Sequence, residues 1–168
     1  MDTNSNSQNN ETGLLFIGHG SRLPYNKQVV TELAEKYSAS QPDYPMEVGF
    51  MELVQPSIAD AFNKLKETGV KRVIVTPIFL AHGKHTKKDI PPILGIEPSD
   101  EELNPDEQAP PEHHHDHDHE HHHGHHHGHH HHAPAEPVEF DGEIIYNEPI
   151  GADDGLVAVL HERIDKYL

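Results

Sequence analysis

Histidine is the residue type that sets the chemistry open to this sequence. His19 stands in Gly18-His19-Gly20-Ser21, directly after an apolar run. His82 and His85 stand three apart in Leu80-Ala81-His82-Gly83-Lys84-His85. Imidazole is a frequent transition-metal ligand and an acid–base group near neutral pH. Either role suits His19, whose flanking glycines let the backbone approach a ligand closely; a loop histidine that merely fills a turn is the plainer alternative. His82 and His85 share a face if helical and form a clip if in a loop, or one packs and the other starts a helix. Glu52 orients a histidine, ligates a metal or accepts a proton, or is an ordinary strand-end carboxylate. Arg22, Lys84, Lys87 and Lys88 crowd the same segments. In a chain that is otherwise acidic, such a cluster suits a ligand with several carboxylates or phosphates.

These residues need elements that bring them to one place. Leu14 to Ile17 reads as a buried strand ending in the glycine turn. Pro24 suits the first turn of a helix in which Val29, Val30, Leu33, Ala34 and Tyr37 share a face. Met46 to Leu53 predicts a second strand. Pro56 opens a helix with Ile58, Ala61, Phe62 and Leu65 at helical spacing, stopped by Gly69. Lys71 to Thr76 is a third strand, followed by the histidine loop. Thr86 is placed to cap a short helix that Pro91 and Pro92 limit. Glu143 to Tyr146 is a fourth strand. Asp153 or Asp154 caps a last helix with Leu156, Val159, Leu160, Ile164 and Tyr167 on its apolar face. Alternation of strands and helices predicts an α/β fold, a small open parallel sheet with helices on both faces. Ligands of such sheets bind at the carboxyl ends of the strands. That edge gathers Gly18–Ser21, Glu52–Gln55, Leu80–His85 and Glu148–Gly151.

Composition narrows the chemistry. The chain has 168 residues and no cysteine, so a metal must sit on His, Asp or Glu. Residues 1–12 read as a disordered leader without the character of a signal peptide, and no apolar run is long enough to span a membrane. A cytoplasmic protein is expected. Acidity and the lack of a basic face argue against nucleic acid. No Walker-type loop or Gly-x-Gly-x-x-Gly pattern supports nucleotide chemistry. A histidine phosphatase is disfavoured because Gly18, not arginine, precedes His19.

Residues 97–139 form an acidic, histidine-rich insert, expected to be flexible. The stretch His113–His132 has fifteen histidines in twenty residues, and it is internal and broken by Asp, Glu and Gly, unlike an expression tag. Imidazole and carboxylate suit nickel, cobalt, zinc or copper. The remaining single domain, 13–96 with 140–168, is roughly 115 residues, a size that buries about two-thirds of its unfolded surface.

With these motifs on the page, the chain resembles the short form of the CbiX family, the archaeal sirohydrochlorin chelatases of class II. The resemblance lies in Leu15 to Arg22, Phe50-Met51-Glu52-Leu53-Val54-Gln55-Pro56-Ser57-Ile58, Pro77 to Pro91 and Glu148-Pro149-Ile150-Gly151. The insert resembles those of methanogen forms, which serve nickel insertion toward coenzyme F430 as well as cobalt insertion toward cobalamin. The resemblance implies that His19 and His85 bind the metal and that His19 takes pyrrole protons. It implies that Leu80, Ala81, His82, Gly83, Lys84 and His85 line the tetrapyrrole and that Gln55 contacts it. It implies no prosthetic group, with Co²⁺ or Ni²⁺ as the substrate metal. Larger relatives fuse two such domains, so a homodimer is expected here. The expected activity is insertion of Co²⁺ or Ni²⁺ into sirohydrochlorin. A histidine-rich cobalt or nickel metallochaperone or store, without catalysis, is the alternative.

Overall fold

The protein is seen here in a computed structural model, which describes residues 11–99 and 136–168. Four strands carry it: β1 (Thr12–Gly18), β2 (Met46–Phe50), β3 (Arg72–Pro77) and β4 (Glu143–Tyr146). They form one sheet in the order β2-β1-β3-β4, every pair parallel. Between them run α1 (Tyr25–Ser40), α2 (Ile58–Glu67) and, after β3, a π-helical turn (His85–Asp89) that continues into α3 (Ile90–Ile93). The chain ends in α4 (Asp154–Ile164) and a 3₁₀ turn (Asp165–Tyr167). The α/β reading and its element order hold.

Strand alternation sends Leu15, Ile17, Val73 and Val75 to one face of the sheet. There they meet Ile58, Ala61, Phe62 and Leu65 of α2, and Ile90 and Leu94 around α3. Phe62 is fully buried, and burial of such a side chain stabilises by about 1.5–3 kcal/mol. The start of α2 lies so close to β2 that a Cβ at Gly49 would stand 2.8 Å from the Ile58 Cα. Ser57 caps α2 by accepting the Asp60 N–H at 3.1 Å, so Pro56 precedes the cap rather than opening the helix. Gly69 stops the segment with φ +84°.

The opposite face carries Leu14, Phe16, Ile74 and Ile145 and is covered by α1 through Val30 and Ala34. Val29, Leu33 and Tyr37, expected on the same buried face, are exposed. One residue of offset explains it: 30 and 34 point at the sheet, while 29, 33 and 37 form the flank beside them.

Three further expectations are corrected. The second strand ends at Phe50, not Leu53. Leu53 takes φ +65°, and the amides of Met51 and Glu52 turn to the carbonyls of Gly18 (3.1 Å) and His19 (3.3 Å). Pro91 and Pro92 do not limit the helix after the histidine loop; they lie within it. A proline lacks an N–H, so carbonyls in the preceding turn lose a helical donor. The Thr86 carbonyl accepts the Tyr146 hydroxyl at 2.9 Å instead, and the Lys87 carbonyl accepts the Ser99 N–H at 3.0 Å. Finally, α4 is capped by Asp153, which accepts the Gly155 N–H at 2.8 Å, but its apolar face is not packed on the sheet: α4 has no buried residue.

Most of the 97–139 stretch lies outside the described residues. Of its ends, Ile96 just before it and Val138 within it pack against the core, and the Val138 N–H donates to the Ile93 carbonyl at 2.9 Å.

Candidate metal and tetrapyrrole site

The loop after β1 carries His19. Gly20 follows with φ +86°, a conformation that glycine adopts at little cost, and its N–H donates to Asn26 Oδ1 at 3.0 Å. The loop is thereby tied to the first turn of α1. His19 Nδ1–H donates to the Gly20 carbonyl at 2.8 Å. This bond turns Nε2 outward at the carboxyl edge of the sheet.

Opposite it stands His85, the first residue of the π-helical turn. Thr86, buried beneath, holds that turn: its hydroxyl accepts the Gly83 N–H at 3.0 Å and donates to the Gly83 carbonyl at 3.1 Å. Thr86 thus clamps the loop before it rather than capping the helix after it. Tyr146 of β4 adds its bond to the Thr86 carbonyl. Burial, then the Glu148 carboxylate, pushes the Tyr146 hydroxyl up to about 12, so it stays a donor throughout the range in which enzymes work. His85 Nδ1–H donates to Asp89 Oδ2 at 2.8 Å, one helical turn on.

The two Nε2 atoms, of His19 and His85, are 3.1 Å apart, with ring centroids 4.8 Å apart and planes at 77°. Each ring uses its Nδ1 proton on an oxygen that can only accept. In the neutral rings both Nε2 atoms therefore present lone pairs to each other. Such a contact is relieved by something electron-poor between them, a proton or a metal ion. With metal–nitrogen bonds of about 2.0–2.1 Å, two imidazoles on one ion at angles between octahedral and tetrahedral hold their nitrogens about 2.9–3.4 Å apart. The observed 3.1 Å falls within that span. Glu52 Oε1 lies 3.8 Å from His19 Nε2, near enough to receive a proton through a small shift or to join a coordination sphere. Phe79 closes one side of His19 at 6.2 Å between centroids.

Among the described residues, no three His, Cys, Asp or Glu side chains form a ready metal cage. Two imidazoles with half-exposed rings, 40% for His19 and 36% for His85, can hold an ion and release it. Two sizeable cavities open elsewhere, beside Lys71 and Phe140 and between α1 and β2. The histidine pair lines neither of them.

The other expected site residues divide. Leu80, Ala81, Gly83 and Lys84 lie on the loop leading to His85, with Leu80 and Lys84 exposed. His82 turns away from the pair: its Nε2 meets the Glu148 carboxylate and its Nδ1 lies 3.3 Å from Thr86 Oγ1. Gln55 precedes a cis peptide bond to Pro56. Its side-chain oxygen accepts the Ser57 N–H at 3.0 Å, within its own turn. Lys88 is occupied with the Ser99 carbonyl; Arg22 is exposed beside the His19 loop.

Asp89 and Glu148 are the contacts that sequence reading missed. The i, i+4 spacing of His85 and Asp89 is the signal that points to the first. Carboxylates that hold the far nitrogen of a metal-binding imidazole fix its tautomer and raise its basicity, and their loss typically costs about 10–100-fold in affinity or activity. Asp89→Ala is expected to weaken Co²⁺ binding at the pair by that order, with Asp89→Asn between it and the wild type. A visible-absorbance Co²⁺ titration, in a chain lacking residues 100–135, reads it; identical affinities in all three would remove Asp89 from this role.

Against known proteins, the CbiX family model matches residues 13–167. The sirohydrochlorin cobaltochelatase of Methanothermobacter thermautotrophicus is 48% identical over 164 residues, covering 98% of this chain and 97% of its own. That of Methanopyrus kandleri is 45% identical over 156 residues, covering 92% and 96%. Among solved structures, the sirohydrochlorin chelatase SirB from Bacillus subtilis subspecies spizizenii, in complex with cobalt, superposes with a TM-score of 0.62 at 22% identity. That likeness is one of fold; it covers 94% of this chain but 51% of SirB, so this chain spans about half of SirB's length.

Proposed function

This chain belongs to the CbiX family, and from that membership and its facing imidazoles we propose that it is a chelatase inserting Co²⁺ into sirohydrochlorin. The observation that carries the reading is the 3.1 Å approach of two Nε2 lone pairs at the carboxyl edge of the sheet. Insertion requires a divalent ion stripped of part of its water, loss of two pyrrole protons and a macrocycle held within reach. His19 and His85 hold the ion. An imidazole nitrogen bound to metal cannot accept a proton at the same time, so the roles follow in sequence. As the ion passes to the macrocycle, His19 Nε2 is freed and takes the two pyrrole protons in turn, passing each to Glu52 beside it and on to water. His85 stays oriented by Asp89. The tetrapyrrole lies along Leu80 to His85, and Gln55 contacts its periphery. Its carboxylates meet Arg22, Lys84 and Lys87, while Lys88 is held by the Ser99 carbonyl.

Ni²⁺ is the second substrate metal in this proposal, which would place the protein in coenzyme F430 as well as cobalamin formation. Imidazole ligands take both ions, and intrinsic affinity favours nickel. The chain works as a homodimer in the cytoplasm; among the described residues no helix is long and apolar enough to cross a membrane.

The test is anaerobic absorbance of sirohydrochlorin mixed with the protein and either Co²⁺ or Ni²⁺, beside a control without protein. A metallation rate at least tenfold above the control is expected, and the two rates rank the metals. A rate equal to the control, with metal still bound by the protein, would overturn the chelatase in favour of a metal carrier or store.

A further inference from the structure

His85, assigned above to the metal, sits at the end of a loop that the core does not hold. Leu80, Ala81, His82 and Lys84 are exposed, and a Cβ at Gly83 would meet nothing within 4 Å. Burial therefore cannot fix this loop, and its position depends on polar ties. The site needs it fixed, because the 3.1 Å between the two Nε2 atoms is set by where the loop puts His85. A misplacement of about 1 Å can cost about 100-fold in rate.

The ties come from the segment that leaves β4. Asn147 N–H donates to the Val75 carbonyl at 2.8 Å, and Ile150 and Gly151 N–H donate to the carbonyls of Phe79 and Leu80, each at 2.9 Å. These backbone bonds hold the start of the loop as far as Leu80. At its far end the Tyr146 hydroxyl donates to the Thr86 carbonyl at 2.9 Å. Between Leu80 and Thr86 the segment makes no backbone bond among the described residues. Glu148 supplies the tie there, with its carboxylate on His82 Nε2. His82 passes the contact on, because its Nδ1 lies 3.3 Å from Thr86 Oγ1, the hydroxyl that clamps Gly83 at both its N–H and its carbonyl.

A carboxylate only accepts, so His82 keeps a proton on Nε2. His19 and His85 hold theirs on Nδ1 and leave Nε2 bare. The contact with Glu148 thus places His82 and also withholds its outer nitrogen from the ion. We infer that Glu148 is a positioning residue of the metal site: through His82 and Thr86 it fixes the loop that sets His85 against His19. The inference rests on the chelatase reading above and adds to it a residue that acts on the reaction at one remove.

The Glu148 side chain is 81% exposed, and an exposed charged contact contributes little to the fold, so its variants should melt as the wild type does. In the full-length protein at saturating Co²⁺, Glu148→Ala is expected to lower kcat for metallation about tenfold. That is the lower end of what the loss of a metal ligand's outer support costs, about 10–100-fold. KM for sirohydrochlorin should stay near the wild-type value, since the residue acts through the loop and not on the macrocycle. Glu148→Gln, which keeps an oxygen to accept the Nε2 proton, should recover most of the rate. In a His82→Ala background, Glu148→Ala should cost nothing further in kcat, because the two act through one contact. Hydrogen exchange followed by mass spectrometry reads the same tie without turnover. Peptides spanning 81–89 should exchange about tenfold faster in Glu148→Ala, with those of β1 and α2 unchanged. A wild type that metallates no faster than the control would overturn the chelatase reading and this role together. With an active wild type, an undiminished kcat in Glu148→Ala, a full added loss in the double variant, or unchanged exchange over 81–89 would each overturn the role of Glu148 alone.

Discussion

Replacing His85 by alanine is expected to lower the rate of metal insertion by at least about 100-fold, the upper end of what is lost when even the outer support of a metal ligand is removed. The site offers two nitrogens to the ion, and no third side chain within the described residues completes a cage with them. Removing one leaves a single imidazole, with Glu52 3.8 Å from it. A lone imidazole neither strips water from the ion nor fixes its approach to the macrocycle. The fold should not suffer, because the His85 ring is 36% exposed and leaves no buried cavity. The measurement is the initial rate of metallation at saturating Co²⁺, beside a thermal melt of the same preparation. An unchanged melt with activity within threefold of wild type would refute the assignment of His85 as a ligand. His19→Ala should match it in metal affinity and exceed it in its effect on rate, since His19 is also assigned the pyrrole proton.

Gly20→Ala is expected to strike both stability and site. Its backbone takes φ +86°, a region that costs a residue with a Cβ about 1–2 kcal/mol. The added carbon would also press on the carbonyl oxygen of Glu52, well inside contact distance. That carbonyl belongs to backbone, not to a yielding side-chain tip. Either the His19 loop or the Glu52 turn must therefore move, and each carries a group of the site. A loss of about 2–4 kcal/mol in unfolding free energy is expected, within the range of large single-site effects, together with a metallation rate reduced beyond what the fraction unfolded explains. Urea melts and initial rates check the two parts. A variant as stable and as active as the wild type would show that the turn relaxes freely.

The residues show why some of this was legible in sequence and some was not. β1, β3 and β4 are short β-branched or apolar runs, and α2 repeats Ile58, Ala61, Phe62 and Leu65 at helical spacing; periodicity alone locates them. The gathering of His19, Glu52 and His85 at one edge follows from strand ends in a parallel sheet. Periodicity says which residues seek burial, but not against what. It therefore marked the apolar faces of α1 and α4 without distinguishing a face packed in its own chain from one left open. The shortened β2 escaped because Leu53 in a left-handed conformation has no signature in residue type. The prolines at 91 and 92 misled because the donors that satisfy the freed carbonyls, Tyr146 and Ser99, are distant in sequence or beyond the helix. Spacing groups His82 with His85; a π-helical turn and the pull of Glu148 separate them.

The clasp between Ile93 and Val138 has an evolutionary reading. Both margins of the histidine-rich segment are pinned to the core, by a 2.9 Å hydrogen bond from Val138 to Ile93 and by Ile96 and Val138 packing against the same cluster. Closing a loop between fixed ends costs only about 0.6 kcal/mol more for each doubling of its length. The two margins therefore tolerate a change in the length of chain between them at little cost. Its length and composition can change while the sheet edge stays as it is. In the laboratory the same clasp is a splice port, where a reporter domain with closely spaced termini can be carried without disturbing the protein around it.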